Sequence, residues 1–134
     1  MKILLDTHAA IWALADHPYL TKTARDIISD PDNVIYYSSV STWEILLKKE
    51  SVRNELELTP ELFVKYCNDA GYYPMNMTSE HVIMAEGLDN PGIGKEHKDP
   101  FDRMLLAQAK AENCRFLTHD DKMLLYNEKC VIHF

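Results

Sequence analysis

Apolar and polar positions along this chain alternate between a strand period and a helix period, and the switches divide it into strand–helix units. Residues 2–5 form a short apolar run suited to a buried strand, and Asp6-Thr7 opens a helical pattern from His8 to Ala15 that Asp16-His17-Pro18 ends. Thr21 is placed to cap a second helix to Ser29, Asp30-Pro31-Asp32 predicts a turn, and residues 33–37 (NVIYY) read as a buried strand. Ser41-Thr42-Trp43-Glu44 fits the capping box, a Ser or Thr followed three residues later by an acid, and so predicts a helix through Lys49 or Glu50.

Thr59-Pro60-Glu61 combines a capping Thr, a proline at the first helical position and an acid in the first turn, with Gly71 as the matching stop. Residues 72–76 are the weakest strand, because Pro74 suits a sheet edge. Thr78 opens a helix to about Glu86, and the glycine-rich stretch from Gly87 to Lys98 predicts a long loop. Asp99-Pro100 opens a helix through Glu112 with Phe101, Met104, Leu105 and Ala109 on one face. A strand at 115–118, a short helical turn at 121–126 and a strand at 130–133 complete the chain.

Strands that alternate with helices predict an α/β fold, a parallel sheet covered on both faces, because each crossover carries a helix back over the sheet. At 134 residues the chain is expected to form a single domain, residues 1–134. In such a sheet the strand ends and the starts of the following helices share one edge, where ligands bind. The acids map to that edge: Asp6 after the first strand, Glu44 at the predicted helix after the second, Asp99 and Asp102 before the fourth, Asp120 and Asp121 after it.

Composition narrows the chemistry. A hydrophobic share of 46% and a charged share of 26% are those of a soluble protein, and no apolar run approaches the ~20 residues of a membrane span. Residues 1–5 are too short for a signal peptide, so a cytoplasmic protein without membrane association is expected. Cys67, Cys114 and Cys130 are odd in number and far apart, which predicts reduced thiols rather than a disulfide framework. A formal charge of −7 excludes a general polyanion binder, so a phosphate substrate requires bound cations.

Each acid has a structural explanation of its own. Asp6, Asp99 and Asp120 can be N-caps, and Glu44 and Asp102 can be first-turn acids, roles worth roughly 0.5–2 kcal/mol. Jointly they ask for more, since two carboxylates ~5 Å apart repel by about 3 kcal/mol at an effective dielectric of 20. A hard divalent cation, Mg²⁺ or Mn²⁺, takes carboxylate oxygens and keeps room for a phosphate, whereas zinc prefers His or Cys.

KILLDTH near the start, SSVSTWEILLKK in the middle and HKDPFDRMLLAQAKAENCRFLTHDD near the end together resemble the PIN-domain ribonucleases, in particular VapC-type toxins of toxin–antitoxin pairs. The resemblance covers essentially the whole chain, and DPFDR followed by a small-residue helix, a strand and T-x-D is its most specific part. It implies a three-layer α/β/α domain with a five-stranded parallel sheet, a metal-dependent RNA endonuclease, homodimerisation and inhibition by a cognate VapB- or Phd-like antitoxin. Carried over by position, the metal-binding and catalytic acids are Asp6, Glu44, Asp102 and Asp120. Thr118 resembles the family's hydroxyl residue, and Asp99, Asp121 and Arg103 are supporting candidates, as caps or carboxylate partners. One departure is the extended loop from Gly87 to Lys98.

Lys48, Lys49, Arg53, Lys95 and Lys98 are candidate phosphate contacts, although Lys48 is equally placed for an i,i+4 pair with Glu44. His8, His97 and His119 lie near the edge without a required role, and Trp12, Trp43 and Phe101 read as core aromatics rather than base-stacking platforms. Apolar faces at 24–28 and 62–67 suit a dimer or antitoxin surface and core packing equally. Two rival functions remain open. One is a non-catalytic RNA- or protein-binding module of the same fold; the other is a phosphotransfer domain, which the absence of a DxD arrangement at Asp6-Thr7-His8 disfavours.

Overall fold

The computed structural model describes residues 1–48, 57–88 and 99–134. Among them, β1 (Lys2–Leu5), β2 (Val34–Ser38), β3 (Tyr73–Met75), β4 (Arg115–Thr118) and β5 (Val131–His133) form one parallel sheet in the order β3-β2-β1-β4-β5. The helices are α1 (Thr7–Ala15), α2 (Lys22–Ser29), α3 (Ser39–Leu47), α4 (Pro60–Asp69), α5 (Ser79–Glu86) and α6 (Pro100–Ala111), with a 3₁₀ turn at Asp121–Leu125. None of these helices is long and apolar enough to cross a membrane.

Successive strand residues point to opposite faces, which divides the core in two. Ile3, Leu5, Ile35, Tyr37 and Leu117 pack with Ala9, Ala10, Ala24 and Phe63 of α1, α2 and α4. Leu4 and Phe116 pack on the other face with Phe101, Leu105, Leu106 and Ala109 of α6. The result is the expected α/β/α sandwich. β1 sits between β2 and β4, with Leu4 in register with Tyr36 on one side and Phe116 on the other. The chain builds outward from β1 in one direction through β3, then crosses back to lay down β4 and β5, so the topological switch point lies between β1 and β4.

Helix starts follow local chemistry. Thr21, Thr59, Thr78 and Asp99 each accept hydrogen bonds from first-turn N–H groups, and Thr78 and His81 complete a capping box. Gly71, at φ 85°, turns the chain after α4 in the left-handed region that glycine tolerates. Pro74 lies in the edge strand β3, where a missing N–H costs no central ladder bond. Cys67 and Cys114 are buried, Cys130 is half-buried and all three are free; burial pushes the Cys67 thiol up to about 12.

Several expectations need correction. α3 begins at Ser39, capped by the Ser38 hydroxyl on Val40 N–H, so Ser41-Thr42-Trp43-Glu44 is helix interior and no capping box. The strand end at Ser38 starts the helix before the later serine is reached. In α6, Leu106, Ala107 and Gln108 are buried besides the predicted stripe, because α5 packs on this helix as well. Ala24, Phe63 and Cys67 are buried, and Ile27, Ile28, Leu62 and Val64 pack against the core. The 24–28 stretch therefore presents no spare apolar face, and in 62–67 only the Tyr66 ring is exposed. Exposed apolar side chains lie on α3, at Trp43 (48% exposed), Leu46 (52%) and Leu47 (56%), and on α5, at Val82 and Ile83. Trp43 is thus not a core aromatic; its ring meets Phe101 edge-on at 5.0 Å.

Candidate active site

Five of the chain's acids meet at the carboxyl edge of β1 and β4. Asp6 ends β1 in the N-cap position of α1, yet its side chain makes no capping bond. It is 4% exposed, and its Oδ2 accepts a 2.6 Å hydrogen bond from the Thr118 hydroxyl at the end of β4. The Thr118 oxygen in turn accepts from Asp120 N–H at 3.1 Å, which fixes the turn leaving the strand. Asp120 caps the 3₁₀ turn through Lys122 N–H.

Glu44 lies five residues into α3 and is 3% exposed. A buried carboxylate needs partners, and both oxygens have them. Oε1 accepts from the Thr7 hydroxyl at 2.7 Å, while Oε2 accepts from the Lys48 ammonium at 2.8 Å. The Thr7 hydroxyl also shares a 2.8 Å hydrogen bond with Ser41, which locks α1 against α3. Lys48 reaches across to Asp99 Oδ2 at 3.2 Å and lies 5.1 Å from the Phe101 ring centroid. Burial pulls the Lys48 ammonium down, but Glu44 and Asp99 outweigh it and raise its pKa.

Asp99 caps α6 through Phe101 and Asp102 N–H groups. Burial pushes its carboxyl up, but Lys48 and the two N–H groups hold it below its ordinary value. Asp102, one turn into the helix, has the opposite balance. Burial first, then the charges of Asp6, Asp99 and Glu44, and then a hydrogen bond to Asp120 push it up to about 9, so it holds a proton at neutral pH. Asp6 is raised to about 6, chiefly by burial, against the lowering effect of Thr118. Asp102 therefore feels Asp6, Glu44, Asp99 and Asp120, and Asp6 feels Glu44; helix capping accounts for Asp99 and Asp120 but not for Asp6, Glu44 or Asp102.

The remaining candidates divide. Arg103 donates to the Ala85 carbonyl at 2.7 Å and bonds Tyr126, so its guanidinium braces α6 against α5 and the 3₁₀ turn. Asp121 is exposed, with Oδ1 2.9 Å from His133 Nε2 but outside hydrogen-bond geometry. His8 and His119 are exposed beside Asp6 and Asp120. Lys49, Arg53, Lys95, His97 and Lys98, with residues 89–98 of the predicted loop, lie outside the described residues.

Thr7 and Ser41 were not anticipated. Their role depends on pairing across 34 to 37 positions, and nothing local in the sequence marks it. A second unanticipated feature lies beneath the site. Ser38 Oγ donates to Gln108 Oε1, Gln108 Nε2 lies 3.3 Å from His81 Nδ1, and His81 Nε2 lies 2.8 Å from Glu112. Thr78 N–H also donates to His81 Nδ1, which makes Nδ1 the acceptor and Nε2 the protonated nitrogen. This relay ties the start of α3 to α5 and α6.

Among the described residues, no three His, Cys, Asp or Glu side chains are gathered to chelate an ion as they stand. Lys48 occupies one Glu44 oxygen, and a proton joins Asp102 to Asp120. The donor chemistry nevertheless fits a hard divalent cation: the converging groups are carboxylate oxygens, and two carry raised pKa values that an added positive charge relieves.

Fold and site together define a parallel α/β domain whose carboxyl edge, at the β1/β4 switch point, carries a cluster of mutually repelling acids. A sequence profile of the PIN domain matches residues 3–129, and the chain belongs to the PIN-domain family. No curated protein matches it. Among solved structures, its fold is similar to that of a chain in the crystal structure of VapBC2 from Rickettsia felis bound to a DNA fragment from their promoter. The TM-score is 0.71 at 13% identity, over 100% of this chain and 99% of that one. At that identity the likeness is one of fold.

Proposed function

We propose that this protein is a Mg²⁺- or Mn²⁺-dependent endoribonuclease, the VapC-type toxin of a toxin–antitoxin pair. The observation that carries it is the coupling of Asp102 to Asp6, Glu44 and Asp120, acids contributed by separate elements and pressed together at a ligand-binding edge. Membership of the PIN family and a fold shared with a VapBC2 chain support it. A VapB- or Phd-like antitoxin and a second copy of the chain are the partners, and the cytoplasm is the expected compartment.

Asp6, Glu44, Asp102 and Asp120 are the residues proposed to hold the cation. When bound, such an ion supplies positive charge to a phosphodiester and lowers the pKa of water. The protein's own groups then have distinct tasks. Thr118 aims Asp6, Thr7 and Lys48 hold Glu44, and Asp102 releases its proton to become a ligand.

Cleavage of RNA by the purified, antitoxin-free protein, with and without Mg²⁺ or Mn²⁺, is the test. Activity is expected only with metal, and it is expected to be lost in Asp6→Asn and Asp102→Asn. Metal-independent cleavage, or full activity in either variant, overturns the proposal.

A further inference from the structure

A cavity of about 210 Å³ opens beside the acids, lined by Asp6, His8, Trp12, His119 and Asp120. Its composition is unusual for a purely ionic site, because three of the five lining residues are aromatic rings. Trp12 is the hub. Its ring centroid lies 5.6 Å from that of His8 and 5.2 Å from that of His119. On its other contacts it stacks on His17 at 5.8 Å and meets Tyr19 edge-on at 5.6 Å. The His119 ring is held from two directions, by a hydrogen bond between Nδ1 and the Phe134 carbonyl and by a parallel stack on His133 at 5.9 Å. Trp12 is half-buried and packs on the core beneath, whereas His8 and His119 are exposed at the rim.

We propose that this cavity is a nucleobase subsite, which takes one unpaired base of the RNA next to the cleaved phosphate. The inference rests on the ribonuclease reading and adds to it the place where a base of the substrate sits and the rings that hold it. Two features of the cavity select that ligand. Its volume is below the roughly 300–1,000 Å³ of pockets for larger ligands, which suits a single planar ring system. Its walls combine rings with the carboxylates of Asp6 and Asp120, so a base held by its π-face leaves its own backbone phosphate beside the acids. Protein recognition of unpaired bases uses His and Trp rings in this way and tolerates many sequences, because every base has a π-face. A base stacked inside a duplex cannot enter.

The site is testable through its own fluorophore. The chain has two tryptophans, so Trp43→Phe leaves Trp12 as the sole emitter. This variant, with Mg²⁺ present to offset the charge of the acids, is mixed by stopped flow with a short single-stranded oligoribonucleotide and with the same length of abasic ribose-phosphate. The base-containing strand is expected to quench Trp12 emission and the abasic strand to leave it unchanged. His8→Ala is expected to weaken binding of the base-containing strand by roughly tenfold, while His8→Phe, which keeps a ring, retains it. Both variants keep the parental melting temperature. A base-containing strand that binds without altering Trp12 emission, or His8→Phe behaving as His8→Ala, overturns the subsite while leaving metal-dependent cleavage intact. A wild-type protein that neither binds nor cleaves RNA overturns both proposals together.

Discussion

The Thr118 hydroxyl donates to Asp6 Oδ2 at 2.6 Å, joining the ends of two adjacent strands that are 112 positions apart in the chain. A hydrogen bond to a buried charged group contributes about 1.5–3 kcal/mol. Thr118→Val keeps the shape and removes the donor. It is expected to lower stability by that amount at about pH 8, where Asp6 is ionised, and to move the Asp6 pKa further up. Urea denaturation of the two proteins measures it, and equal midpoints contradict it.

The metal-free protein is expected to lose stability as pH rises. Asp6 at about 6 and Asp102 at about 9 lie above the ordinary carboxylate range, so the native state binds more protons than the unfolded chain. The contribution of these two groups is complete below roughly pH 4, where unfolded carboxyls are protonated, and is lost progressively as pH climbs through the two native values. Thermal melts in EDTA between about pH 5 and pH 9 are expected to show a falling midpoint. Asp102→Asn, which removes the larger shift, flattens the alkaline part of the curve.

Cation loading is expected to expel a proton. Asp102 holds one at neutral pH and must surrender it to serve as a ligand. Titration calorimetry with Mn²⁺ in buffers of different ionisation enthalpy should report roughly one proton released per site at about pH 7.5. Asp102→Asn abolishes the buffer dependence; an unchanged dependence in that variant rules Asp102 out as the source.

Lys48 ties Glu44 in α3 to Asp99 at the start of α6. Its side chain is 37% exposed, so solvent screens part of the interaction, and Lys48→Met is expected to cost about 1–2 kcal/mol. Much of that is the penalty of leaving Glu44 buried without its cation. Glu44→Gln in the same background should therefore return part of the loss, which a double-mutant cycle measures directly.

What could be read in advance was whatever short-range chemistry decides. Thr21, Thr59, Thr78 and Asp99 each begin helices through bonds within three residues, and Pro74 marks an edge by its missing N–H. Helix α3 shows the limit. Ser38 and Ser41 are equally good caps in isolation, and the choice between them is made by where β2 stops pairing with β3, at Ser38 and Met75. That shift of three residues moved Glu44 from a first turn into a buried interior turn. Trp43 was misplaced for a related reason: α3 is apolar on most sides, so its pattern does not say which side meets the core. The acidic edge was legible from strand–helix alternation, but the clamps on each acid were not, because Thr7, Ser41 and Lys48 act through contacts between elements.

The central place of β1 carries a consequence for synthesis. Asp6 is made 112 residues before Thr118, which ends β4, its neighbour across the sheet. A nascent chain stopped anywhere before that strand lacks the hydroxyl that aims Asp6 and lacks Asp120 altogether. Assembly of the acids therefore waits for β4, and a chain cut short before Thr118 cannot gather them.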